Sequence, residues 1–94
     1  MYINRRTFKV KHGAMEEAVK LVKAEIERTG WKGTVYTAEF GPFDVMVVDF
    51  STESLEDYEK SSSEWDASPE AAKFFEKWYT LTERGGTNEL WVVN

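Results

Sequence analysis

The hydrophobic positions of this chain change period several times, and each change marks an element. Over residues 2–11 (YINRRTFKVK) Asn4, Arg6, Phe8 and Val10 share one parity, while Arg5, Thr7, Lys9 and Lys11 take the other, the alternation of a half-buried strand. Gly13 punctuates it. Met15, Ala18, Val19, Val22 and Ile26 follow at spacings of three and four, the stripe of an amphipathic helix, with Arg28 in its last turn and Gly30 placed to cap it. Residues 33–40 (GTVYTAEF) and 44–50 (DVMVVDF) are rich in β-branched and aromatic side chains and are separated by Gly41-Pro42-Phe43, which predicts an antiparallel hairpin. In its second strand Met46, Val48 and Phe50 point one way and Val45 and Val47 the other, as expected where both faces are covered.

Ser54 fits the N-cap of a helix with acid in its first turn. The run Ser61-Ser62-Ser63 is expected to interrupt or weaken that helix, because serine side chains compete for backbone hydrogen bonds. A fresh start follows at Ser68-Pro69-Glu70, a cap with proline at the first helical position. Ala71, Phe74, Phe75, Trp78 and Thr82 carry an inward stripe, Gly85-Gly86 reads as its stop, and 87–93 (TNELWVV) as a terminal strand. The order is β-α-β-β-α-β, the ferredoxin-like α+β arrangement: a four-stranded antiparallel sheet with its helices on one face, in a single domain spanning 1–94. The other sheet face has no third layer to cover it, and an apolar open face predicts a second copy of the chain as its cover.

Composition narrows the chemistry. There is no cysteine and only one histidine, so thiol nucleophiles, disulfides and a zinc ligand set are excluded, and the scattered carboxylates lack the spacing of a calcium loop. No glycine-rich phosphate loop follows a strand, and no nucleophile elbow exists for a serine triad; no metal or cofactor is expected. The net charge of −5 argues against a nucleic-acid partner. Residues 1–32 hold eight Lys/Arg against four Asp/Glu, and residues 33–94 hold four against thirteen, which is +4 and −9. That asymmetry implies either attraction within or between subunits, or a solvated surface without a role. No secretory leader or long apolar run is present, so no membrane association is expected and the cytoplasm is the simplest location.

His12, the lone imidazole, follows Lys9 and Lys11 and precedes a glycine turn, and reads as an exposed turn residue. Asn4 and Arg6 are the stronger candidates, since their parity aims them at the helix-covered face, where polar groups are costly unless paired. Either Arg6 meets a carboxylate from the acidic half, or the pair forms the polar end of an aromatic pocket. The aromatic content is 15%, and Phe50, Trp65, Phe75 and Trp78 are the candidate ligand-binding rings of such a pocket, unless they simply fill the core. Trp65, beyond the serine run, is expected in a mobile segment, as a lid or an interface anchor.

The stretches "RRTFKVKHGAMEEAV" and "VVDFSTESLEDYEKS" together with the last strand resemble the dimeric α+β barrel superfamily, and within it the NIPSNAP-like and antibiotic-biosynthesis-monooxygenase-like small proteins. The resemblance implies a homodimer whose two sheets pack across their open faces, with a cleft between helices and sheet in each subunit. Activities in that superfamily include cofactor-independent oxidation of aromatic substrates, haem degradation and isomerisation, alongside domains without established chemistry. The haem-degrading branch implies an asparagine on the first strand, which Asn4 matches, but Phe50 stands where its tryptophan belongs and Phe75 where its haem-ligating histidine belongs. Two functions therefore stand side by side: a small aromatic or apolar ligand bound in the cleft, with Asn4 and Arg6 as catalytic polar groups of a monooxygenase-like enzyme, or a non-catalytic homodimeric interaction module of the NIPSNAP-like type.

Overall fold

The period changes translate into elements in a computed structural model that describes all 94 residues. The chain runs β1 (Tyr2–Val10), α1 (Met15–Thr29), β2 (Gly33–Thr37), β3 (Val45–Thr52), α2 (Leu55–Asp66), α3 (Pro69–Leu81) and β4 (Thr82–Val92). All pairings are antiparallel and the sheet order is β2-β3-β1-β4, so the first strand sits at the centre, flanked by β3 and β4. The helices lie on one face, giving the ferredoxin-like α+β fold that the periodicity predicts. The second helical region is two helices, and the second begins at the fresh start that Ser68-Pro69 predicts.

The core forms where the helical stripes meet the inward parity of β1 and β3. Val10, Ala18, Val22, Met46, Val48, Trp78 and Leu81 make one buried cluster. The cap chemistry behaves as expected: Ser54 Oγ accepts from the Asp57 amide, Ser68 Oγ accepts from the Ala71 amide, and Gly30 takes the left-handed conformation with its N–H on the Ile26 carbonyl. The opposite sheet face carries Val45, Val47 and the exposed Tyr36 and Trp91, crossed by a two-pronged pair in which Arg5 Nε and Nη2 donate to Asp49 at 2.8 Å. Arg5 and the Tyr36 hydroxyl hold the Asp49 carboxyl below its ordinary range, against the opposing effect of burial.

Three expectations are corrected. The serine run does not interrupt α2, which continues unbroken to Asp66; its cap and the inward packing of Tyr58 and Trp65 outweigh the weak helix propensity of serine. Trp65 consequently lies in regular helix, with its indole bonded to Glu25, and not in an irregular segment. The Gly85-Gly86 pair is no helix stop: α3 ends at Leu81 and the glycines lie inside β4. There the register jumps from Lys9↔Glu83 to Thr7↔Thr87, so β4 bulges against β1. Gly86 has φ +95°, and a Cβ on it would stand 2.0 Å from the Thr7 carbonyl oxygen, so this close approach of two strands requires glycine.

Candidate functional site

Between the helices and the sheet lies a cavity of about 240 Å³. The central strand β1 supplies Arg6 and Phe8, β3 supplies Val48 and Phe50, and the inner face of α1 supplies Val22, Glu25 and Ile26. From α2 come Tyr58, Ser61, Ser62 and Trp65, and from α3 Phe74, Phe75 and Trp78. Trp31, just past the cap of α1, closes the ring. The serines are small at the positions where α2 faces the sheet, which leaves the space open.

Seven rings line this space as a continuous arc. Phe8 meets Trp78 edge-on at 5.0 Å, Trp78 stacks on Phe74 at 5.3 Å, and Phe74 contacts both Phe75 and Trp65, at 5.6 and 5.5 Å. Trp65 reaches Trp31 at 5.4 Å, and Trp31 meets Phe50 at 5.7 Å. These separations lie within the range in which aromatic pairs attract beyond mere burial. The Trp65 ring is fixed further, because its Nε1 donates to Glu25 Oε2 at 2.7 Å. Glu25 also receives two 2.8 Å hydrogen bonds from Arg28, and these, with the indole, push its carboxyl below the ordinary glutamate range despite partial burial.

The arc ends at a polar corner built on β1. Asn4 is only 5% exposed, and its amide donates to Asn88 Oδ1 at 2.6 Å and to the Glu89 carbonyl at 2.9 Å, both on β4. Its own Oδ1 accepts from Arg6 Nε at 2.9 Å and from the Tyr58 hydroxyl. Arg6 Nη2 donates to the same hydroxyl at 3.3 Å. Arg6 and Asn88 face each other across the two strands, so the β4 bulge sets the register that brings Asn88 into this network.

Of the residues singled out from sequence, Arg6, Phe50, Trp65, Phe75 and Trp78 all lie on the cavity wall. Asn4 is one step behind it and holds Arg6 in place. The expected alternative, Arg6 paired with a carboxylate of the acidic half, is not what forms; its partners are neutral. Tyr58 and Trp31 were missed. Tyr58, Ser62 and Trp65 recur at helical spacing, a signal the serine run obscured; Trp31 stands outside any periodic stretch and leaves none. His12 is not part of this wall: its side chain is 97% exposed, with Nδ1 3.4 Å from Asp44 Oδ2. The wall holds no histidine, cysteine or methionine, and its single tyrosine is engaged with Asn4 and Arg6, so the residues present do not fit a haem iron. No three His, Asp or Glu side chains converge as metal ligands anywhere in the chain, and no helix is long and apolar enough to cross a membrane.

No protein-family model matches the chain, and no curated protein matches it in sequence. Solved structures do match in fold. A NIPSNAP domain protein from Burkholderia xenovorans aligns over 100% of this chain and 95% of its own with a TM-score of 0.85 and 15% identity. A NIPSNAP family protein of unknown function from Agrobacterium tumefaciens covers 97% of this chain and 86% of its own, at 26% identity and a TM-score of 0.82. An antibiotic biosynthesis monooxygenase aligns over 100% and 99% of the two chains, at 12% identity and a TM-score of 0.74. The chain thus has the fold shared by NIPSNAP domain proteins and antibiotic-biosynthesis-monooxygenase-like proteins.

Proposed function

We propose that this chain binds a small aromatic ligand in the cavity between its helices and sheet, as a single-domain cytoplasmic homodimer of the monooxygenase-like type. The observation that carries the reading is the arc of seven rings closing on one polar corner around about 240 Å³. A cavity of about 150 Å³ already admits benzene, and sites for drug-sized molecules begin near about 300 Å³, so the space suits one or two fused rings. Offset and edge contacts from tryptophan hold a planar ring in place, while the corner orients a polar substituent. The open space and the neutral partners of Arg6 support a ligand site over a non-catalytic interaction module whose own side chains fill the core.

The chemistry that suits the site is cofactor-independent oxidation of an electron-rich aromatic. Such a substrate supplies its own electrons to oxygen, and Arg6 is placed to hold an anionic oxygen group of the substrate, with Asn4 and Tyr58 fixing the guanidinium. Dimerisation is supported by the open sheet face, where Val45, Val47, Tyr36 and Trp91 have no covering layer. Sedimentation at micromolar concentration gives a dimer mass on this reading, and a monomer removes it.

Calorimetric titration with 2-naphthol tests the binding claim. Wild-type protein binds it, and Ser62→Phe, which pushes a ring into the cavity from α2, abolishes binding while circular dichroism stays unchanged. Equal binding by both proteins places the ligand elsewhere. Oxygen uptake with an electron-rich naphthol, lost in Asn4→Ala, tests the catalytic claim; uptake at the wild-type rate in a folded Asn4→Ala protein contradicts it.

A further inference from the structure

Arg6 differs from every other arginine of the chain. Arg5 is held by Asp49 and Arg28 by Glu25, and Arg84 is exposed to solvent. Arg6 alone is half-buried, it lines the cavity, and no ion pair of the chain includes it. Its two hydrogen bonds go to uncharged oxygens, Asn4 Oδ1 and the Tyr58 hydroxyl. A guanidinium has five N–H donors; Nε and one Nη2 hydrogen are used here, which leaves both Nη1 hydrogens and the second Nη2 hydrogen free. No buried side-chain nitrogen or oxygen lacks a partner, so the unbonded Nη1 is accessible, on a residue that lines the cavity.

The other charges on the wall do not neutralise it. Glu25 is committed to Arg28 and Trp65, while Asp57, Asp66 and Lys32 are exposed at the rim. A partly desolvated cation without a counter-ion is unfavourable, and here it is fixed by neutral groups that leave its charge intact. We propose that the ligand is an aromatic carboxylate, its rings within the arc of Trp31, Trp65 and Trp78 and its two oxygens on the end-on fork of Arg6 Nη1 and Nη2. Two parallel N–H···O bonds to one carboxylate are the arrangement a planar guanidinium favours, and a lysine in its place does not reproduce them. Tyr58 and Asn4 are positioning residues in this scheme: they take the side edge of the guanidinium and turn the fork towards the rings. The inference rests on the ligand site proposed above and adds the charge of what occupies it.

The test compares 2-naphthoate with 2-naphthalenemethanol, similar in rings and reach but different in charge, by calorimetry at pH 7. Wild-type protein binds the carboxylate about ten- to a hundredfold tighter than the alcohol. Arg6→Gln brings carboxylate affinity down to that of the alcohol; Arg6→Lys restores part of the preference. Equal wild-type affinity for the two probes overturns the carboxylate assignment and leaves the aromatic site standing. Binding of neither at millimolar concentration overturns both. A carboxylate preference that survives in folded Arg6→Gln overturns the role of Arg6, and the wild-type comparison decides the ligand class even where that variant does not fold.

Discussion

Replacing Gly86 by alanine probes the joint between fold and site. The residue sits in the β4 bulge at φ +95°, where a side chain costs about 1–2 kcal/mol from backbone sterics alone. Its Cβ would also stand 2.0 Å from the Thr7 carbonyl oxygen, a backbone atom of the central strand that cannot swing aside. Forcing such a contact apart adds about 1–3 kcal/mol, for a total of about 2–5 kcal/mol. A 94-residue domain has about 5–14 kcal/mol of stability to lose. Gly85→Ala is the control: its φ is +108°, but the new Cβ meets only the Lys9 side chain, at 3.2 Å, which is flexible and exposed. It should cost the backbone term alone, about 1–2 kcal/mol. Urea unfolding followed by circular dichroism, with a slope of about 1–2 kcal/mol per molar, places the Gly86→Ala midpoint about 0.5–3 M below that of Gly85→Ala. Equal midpoints would refute the bulge geometry, and with it the register that sets Asn88 opposite Arg6.

Acid stability follows from the two depressed carboxyls. Asp49 and Glu25 titrate below their ordinary values in the folded chain, so each contributes stability that is present above its unfolded value and lost as the pH falls through its folded one. Wild-type stability therefore declines below about pH 4.5, and the gap between wild type and Asp49→Asn narrows as the pH approaches 3; a constant gap in denaturant titrations at pH 3 and 7 contradicts the pairing with Arg5. Trp65→Phe keeps a ring in the arc but removes the indole donor to Glu25, and should cost about 1–3 kcal/mol in urea unfolding, whereas an unchanged midpoint denies that hydrogen bond. His12→Ala leaves stability and ligand binding within experimental error of wild type, and a loss of binding would move the site to the wrong end of β1.

Much of this architecture is visible in residue periodicity. The parity of Asn4, Arg6, Phe8 and Val10 aims all four at the helical layer, and the structure buries Asn4 and Val10 there and turns Arg6 and Phe8 to the cavity. Capping serines and the Gly30 stop are local chemistry, so they too are legible. What is not legible depends on contacts distant in sequence. A glycine pair after a helical stripe reads as a stop, and only the approach of Thr7 from β1 makes Gly86 a bulge. A serine run reads as helix-weakening until tertiary packing supports it, and its small side chains then make room for the cavity. Trp31 joins the ring arc solely because the turn after α1 returns it to Phe50 and Trp65.

The four tryptophans offer the most direct test of the ligand site, because Trp31, Trp65 and Trp78 line the cavity while Trp91 lies on the open sheet face. Each indole N–H gives its own resonance in a proton–nitrogen correlation spectrum. On titration with 2-naphthoate at pH 7, the signals of Trp31, Trp65 and Trp78 should move together and saturate with one dissociation constant, while Trp91 stays in place. Movement of Trp91 alone, or of none of the four at millimolar ligand, would contradict the account.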